Sequence, residues 1–217
     1  MDGNNRSSVS NVFTRYELIA IAMPGAMFLL GLWYVNPALI HGFEPKDATI
    51  GALGIFTIAS FCLGHILQLV TIIVNQVTGR VRGEPSDRVL TKLPQNMRDE
   101  IPSRLAQILG VPEAEVRAAK SLRPYFFQII AVLRAQGDIE MLEIFTLARG
   151  LHKGLSVAFF LLAVAAALCK EPWLSLVFAI LLAATIYMAS FYTERYSKQM
   201  WLQFLRLKHS EGLSKNA

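Results

Sequence analysis

Hydrophobic positions fall into four stretches, residues 18–40, 48–78, 154–169 and 173–193, and none of the four contains Asp, Glu, Lys or Arg. A helix needs about 20 apolar residues to cross a hydrocarbon core of about 30 Å. Three of the stretches reach that length unaided, and the third reaches it by borrowing Leu151 or Gly150 at its inner end. The pattern predicts four transmembrane helices. Between the second and third stretch the period changes. Met97, Ile101, Leu105 and Leu109 recur every four residues, and Val116, Ala119, Leu122, Phe126, Ile129 and Leu133 continue the same kind of stripe. This is helical amphipathicity, with one polar face.

Breakers and caps divide the pattern further. Pro24 has no backbone N–H and crowds the carbonyl four residues back, so a kink or a loosened turn is expected near Ala20. Gly79 is placed to end the second span. Gly110 stops one helix, and Pro112 with Glu113 and Glu115 starts the next, where the acidic pair suits the positive N-terminal end. Pro124 is expected to break or kink the helix it falls in. Gly137 and Asp138 form a stop and restart, with Asp138 as N-cap. From Ile139 to Cys169 only Gly150 and Gly154 interrupt, which predicts one helix that begins outside the membrane and becomes the third span. "CKEPW" is short enough to be a tight turn. The fourth span is expected to run on through "ERYSKQMWLQFLRLKHS", with Tyr196, Met200, Gln203, Phe204 and Leu207 on one face. The fold class is an all-α membrane protein: two transmembrane hairpins whose inner ends extend into a cytosolic helical bundle. Its parts are an N-terminal tail (1–17), hairpin one (18–78), a cytosolic helical region (79–153), hairpin two (154–193) and a C-terminal helix and tail (194–217).

Charge orients these parts. Of the 21 Lys and Arg residues, twelve lie in 79–153 and five after residue 193, whereas the loops 41–47 and 170–172 hold one each. Basic segments stay in the cytosol, so both termini and the central region are expected inside. The first span is too long for the apolar core of a cleavable leader and lacks a small-residue cleavage site. Cys62 and Cys169 form no CxxC motif and are expected to serve as small packing residues.

Chemistry is sparse. His41, His65, His152 and His209 are scattered, with no HExxH spacing for a metal. GxSxG and GxGxxG are absent. "GLHKGLS" at 150–156 lacks the spacing of a phosphate loop and follows no strand. Glu140 with Glu143, or Asp99 with Glu100, are solvated helix faces unless a cleft surrounds them. No catalytic, cofactor or metal site is assigned, and the expectation is that the protein is not an enzyme. The region 79–153 carries twelve basic and nine acidic residues, a mixed surface that argues against nucleic acid. Arg80, Arg82, Arg149, Lys153, Arg195 and Lys198 fall at the inner ends of the spans, as candidate contacts for lipid headgroups or an anionic ligand.

One feature of the second span asks for a reason. Ser60, Gly64, Gln68, Thr71 and Asn75, extended by Thr57 and Thr78, form one small and polar stripe with His65 at its edge. Phe61, Leu69 and Ile73 make the opposite face apolar. Polar side chains inside a membrane meet other helices or line a wet cavity. Both readings stand on the sequence. No span carries a charged residue at its middle, which disfavours an ion or proton pump.

"YELIAIAMPGAMFLLGL", "ARGLHKGLSVAFFLL" and "FYTERYSKQMWLQFL" resemble segments of uncharacterised bacterial four-span membrane proteins, some encoded with anti-phage defence systems. The resemblance implies a bacterial inner-membrane effector that perturbs the membrane when a cytosolic signal arrives. It implies no site residues. The partners expected are the lipid bilayer, further copies of the chain as a homo-oligomer, and a cytosolic protein or anionic ligand. The alternative is an accessory or scaffold subunit that anchors a cytosolic partner.

Overall fold

A computed structural model describes residues 16–40, 49–82, 85–119, 121–136 and 139–207; the side chains of residues 39, 40, 75, 77–82, 85, 86 and 123 are excepted. The described residues form helices and no strand. In chain order these are α1 (Glu17–Val35), a 3₁₀ turn (Pro37–Ile40), α2 (Ile50–Arg82), α3 (Pro85–Thr91), α4 (Gln95–Leu109), α5 (Glu113–Ala118), α6 (Arg123–Ala135), α7 (Glu140–Leu168) and α8 (Pro172–Arg206). Four of them are long and apolar enough to cross a membrane: α1, the Ile50–Val74 part of α2, α7 and α8. They suggest a multi-pass membrane protein.

The chain divides into two compact units. The first is Met1–Val81 with Thr146–Tyr192, and the second is Arg82–Phe145 with Thr193–Ala217. Helices α7 and α8 each contribute residues to both.

In the first unit, α1 opens with a wide turn. Glu17–Ala22 is π-helical before the α-helical segment Met23–Val35, and the Met23 N–H donates to the carbonyl of Leu18, five residues back. This is the loosened turn expected from Pro24, which lies in the first turn of the α-helical segment. Helix α2 is capped by Thr49, whose hydroxyl oxygen accepts the Ala52 N–H at 3.2 Å. Apolar packing joins α1, α7 and α8 through Val35, Phe159, Leu162, Ala166 and Phe178, with Phe28 and Leu32 against them. Gly31 admits this contact, since a Cβ there would crowd Leu162. Beyond Leu168 the chain turns through Lys170 at φ 61°. The Glu171 N–H donates to Ala166 at 2.9 Å and the Lys170 N–H to Ala167 at 3.1 Å, which satisfies two carbonyls that the helix end leaves open. Pro172 then starts α8, and the Ser175 hydroxyl donates to the carbonyl of Ala163 at 3.0 Å. "CKEPW" is thus a tight turn held by its own backbone.

The second unit has a core of its own. Ile101, Leu105, Ile129, Leu133, Met200, Trp201 and Phe204 are fully buried in it, with Val116, Leu142 and Tyr196 nearly so. The expected face of Tyr196, Met200, Gln203, Phe204 and Leu207 is the one buried here. Asp87 on α3 ties the start of α6: it accepts the Ser121 hydroxyl at 2.7 Å and the Leu122 N–H at 3.4 Å. Arg104 donates to the carbonyl of Leu207 at 2.9 Å, beyond the end of α8.

Three expectations need correction. Helix α2 does not end at Gly79 but continues to Arg82, because an interior glycine weakens a helix by only about 1 kcal/mol without breaking it. The stripe from Val116 to Leu133 is two helices, since the backbone is extended at Ala119 and the next helix begins at Arg123. Of the break or kink expected at Pro124 the break is found: Pro124 occupies the first turn of α6, where its missing N–H has no partner to lose. The cysteines do not pack inside the chain, as both are exposed on its helices. Gly110 ends α4 in the left-handed conformation, φ 68°, as its position suggests. Gly137 and Asp138 lie outside the described residues.

Candidate functional site

Span α1 is clasped on two adjacent faces by residues four apart. On one, Ile21 and Gly25 meet Ser60 and Gly64 of α2. A Cβ on Gly25 would overlap the carbonyl oxygen of Ser60, and one on Gly64 would overlap the carbonyl oxygen of Ile21. On the other, Ala20 and Pro24 meet Gly150 and Gly154 of α7. A Cβ on Gly150 would lie 3.2 Å from that of Ala20, and one on Gly154 would lie 2.8 Å from Cγ of Pro24. Small residues at such spacing let helix backbones approach closely, the main source of packing energy where lipid removes the hydrophobic drive.

Gln68 sits where the three helices converge. Its Nε2 donates to the carbonyl of Ala20 at 2.7 Å and to that of Gly150 at 3.1 Å. Pro24 has no N–H to offer Ala20, so the side chain of α2 supplies what the backbone of α1 lacks. One turn on, Thr71 donates to its own helix at Leu67, 2.9 Å, and reaches the carbonyl of Lys153 at 3.5 Å. Ser60 is buried, 3% exposed, and its hydroxyl has no hydrogen-bond partner among the described residues.

Four stripe residues therefore face neighbouring helices: Ser60, Gly64, Gln68 and Thr71. His65 does not. It is exposed, with the Phe61 ring 4.6 Å away at an edge-on angle. Phe61, Leu69 and Ile73 are exposed too. The side chain of Asn75 lies outside the described residues, as do those of Arg80 and Arg82. Of the basic residues, Arg149 and Lys153 are half-buried on α7 in the first unit, and Arg195 and Lys198 are exposed on α8 in the second. His152 lies beside Lys153 with Nδ1 2.7 Å from the Ala148 carbonyl and its ring 5.2 Å from that of Tyr192.

The pairing of Gly150 and Gly154 with Ala20 and Pro24 was not readable from the sequence. Its signal was a four-residue spacing of small residues on two separate spans, but spacing on one helix does not name the partner. Among the described residues no group of three or more His, Cys, Asp or Glu side chains converges as a metal would require. Among the described residues the second unit has an open groove of 270 Å³ walled by Leu90, Ile101 and Val116 and rimmed by Arg98, Asp99 and Arg117. Arg117 is already paired, 2.6 Å from Glu113. The convergence at Gln68 holds the three helices together.

No known protein family, curated protein or solved structure matches the chain.

Proposed function

We propose that the protein is a non-enzymatic, oligomeric membrane effector that couples an event at its helical second unit to perturbation of the bilayer. In this reading α1 with α2, and α7 with α8, are two transmembrane hairpins of a bacterial inner membrane. The second unit and both termini are cytosolic, and a cytosolic partner or anionic ligand supplies the signal. The observation that carries the reading is that α7 and α8 run from the apolar unit into the second unit as single helices. A helix shared by two packed units transmits tilt or rotation without a flexible link. Gly150 and Gly154, which meet Ala20 and Pro24 of α1, lie on α7 four and eight residues inside the boundary at Thr146.

The experiment is controlled induction in bacterial cells with a dye that reports membrane potential. Loss of potential within minutes of the protein reaching the membrane is the result expected. Retained potential, with the protein recovered in constant ratio to a second protein, supports the other reading, a scaffold subunit. The open groove between Arg98 and Arg117 favours that alternative, since it gives a partner protein a place to seat.

A further inference from the structure

His65 lies fifteen residues after Ile50 and nine before Val74, the limits of the second candidate span. At 1.5 Å per residue it is about 22 Å from one limit and about 13 Å from the other. A neutral imidazole carries one hydrogen-bond donor and one acceptor, and hydrocarbon offers a partner for neither. Other hydroxyls of the spans solve this within their own helix: Thr57 donates to Leu53 at 2.8 Å, Ser156 to His152 at 2.7 Å and Thr185 to Leu181 at 2.9 Å. A histidine ring at position 65 has no such partner among the described residues; the ring of Phe61 lies edge-on 4.6 Å from it.

The surroundings of His65 have the pattern of a helix–helix seam. Gly54, Ile58, Phe61, His65, Leu69 and Ile72 follow spacings of three and four, lie on one side of α2, and are all exposed. Ile58, His65 and Ile72 repeat every seven residues, the period that keeps two helices in contact at a shallow left-handed crossing. Gly54 has nothing within 4 Å of where its Cβ would be, so a neighbouring backbone has room to approach.

We propose that this face of α2 is the contact between two copies of the chain, parallel in the membrane, with His65 of one copy hydrogen-bonded to His65 of the other. The occupant follows from depth and chemistry. Copies inserted in the same sense are related by an axis along the membrane normal, so each residue meets its counterpart at equal depth. Imidazole is complementary to itself, one ring donating N–H to the bare nitrogen of the other. A different protein would have to bring its own polar group to that depth. The inference rests on reading the four apolar helices as spans and is independent of effector activity.

The test uses the full chain in membranes, with Cys62→Ser and Cys169→Ser as background. Single cysteines are placed on the seam (Ile58→Cys, Ile72→Cys) and off it, at Ile66→Cys on the flank of α2 and Ile180→Cys on α8, where the native residues are 55% and 61% exposed. Mild oxidation should join copies through positions 58 and 72 and leave 66 and 180 monomeric. Joining at 180 as strong as at 58, or none at 58 and 72, overturns the proposal. Energy transfer between labelled copies in phosphatidylcholine–phosphatidylglycerol vesicles gives the second readout. His65→Leu should weaken self-association about three-fold, the size of one interhelical hydrogen bond, and His65→Gln should restore it. Unchanged or tighter association of His65→Leu overturns the bond at the axis. Membrane potential is not read in either arm, so failure of effector activity leaves these outcomes intact.

Discussion

The side-chain amide of Gln68 donates to the carbonyl of Ala20 at 2.7 Å, and Ala20 is four residues before Pro24, whose nitrogen carries no hydrogen. A polar residue inside an apolar helix is thereby accounted for by a proline on another. The relationship predicts energetic coupling. Gln68→Leu should destabilise the protein by about 1 kcal/mol, measured by unfolding in mild detergent. In a Pro24→Ala background, where the backbone regains its N–H, the same substitution should cost less than half as much. Additive effects of the two changes would contradict the pairing.

The glycines of the spans should rank by what surrounds them. Gly25→Ala and Gly64→Ala drive a Cβ into backbone carbonyls and should be the most damaging, by at least the 1–3 kcal/mol or so typical of overpacking. Gly154→Ala presses on Pro24 and Gln68, and Gly150→Ala on Ala20 and Tyr16, with smaller losses. Gly54→Ala meets nothing within its own chain and, in detergent that keeps copies apart, should be neutral or stabilising by up to about 1 kcal/mol through helix propensity. Thermal unfolding of the purified variants gives the order; a Gly54→Ala as harmful as Gly25→Ala would refute it.

Spans, the wide turn before Pro24, the Gly110 stop and the buried face of Tyr196 to Leu207 were legible in the sequence, because each depends on local chemistry or on the period of one helix. The short helix Pro85–Thr91 was not, since seven residues hold too few apolar positions to show a period. The same limit applied at the site. Periodicity placed Gln68 and Gly64 on one side of α2 but could not say that α1 and α7 lie against that side. It put His65 at the edge of the polar stripe, and only the packing of three helices shows that this edge is exposed.

Orientation can be read directly. Single cysteines at residues 44, 120, 171 and 210, introduced with Cys62 and Cys169 replaced by serine, should react with a membrane-impermeant maleimide on intact cells at 44 and 171 alone. Positions 120 and 210 should react only after permeabilisation. Labelling of 120 in intact cells would reverse the placement of the second unit and remove a cytosolic signal from the account.

An event in the second unit is proposed to reach the spans through α7, and weakening that helix while shifting its register at the boundary tests this. Two glycines inserted between Phe145 and Thr146 fall where one unit ends and the other begins. They leave the core around Ile129 and Trp201, and the clasp at Gly150 and Gly154, with their own residues intact. Membrane potential is followed during induction of wild-type and inserted protein at equal amounts in the membrane. The wild type should collapse the potential, and the insertion should abolish the collapse while membrane insertion and thermal stability are kept. Collapse of equal rate and extent with the glycines in place would contradict it.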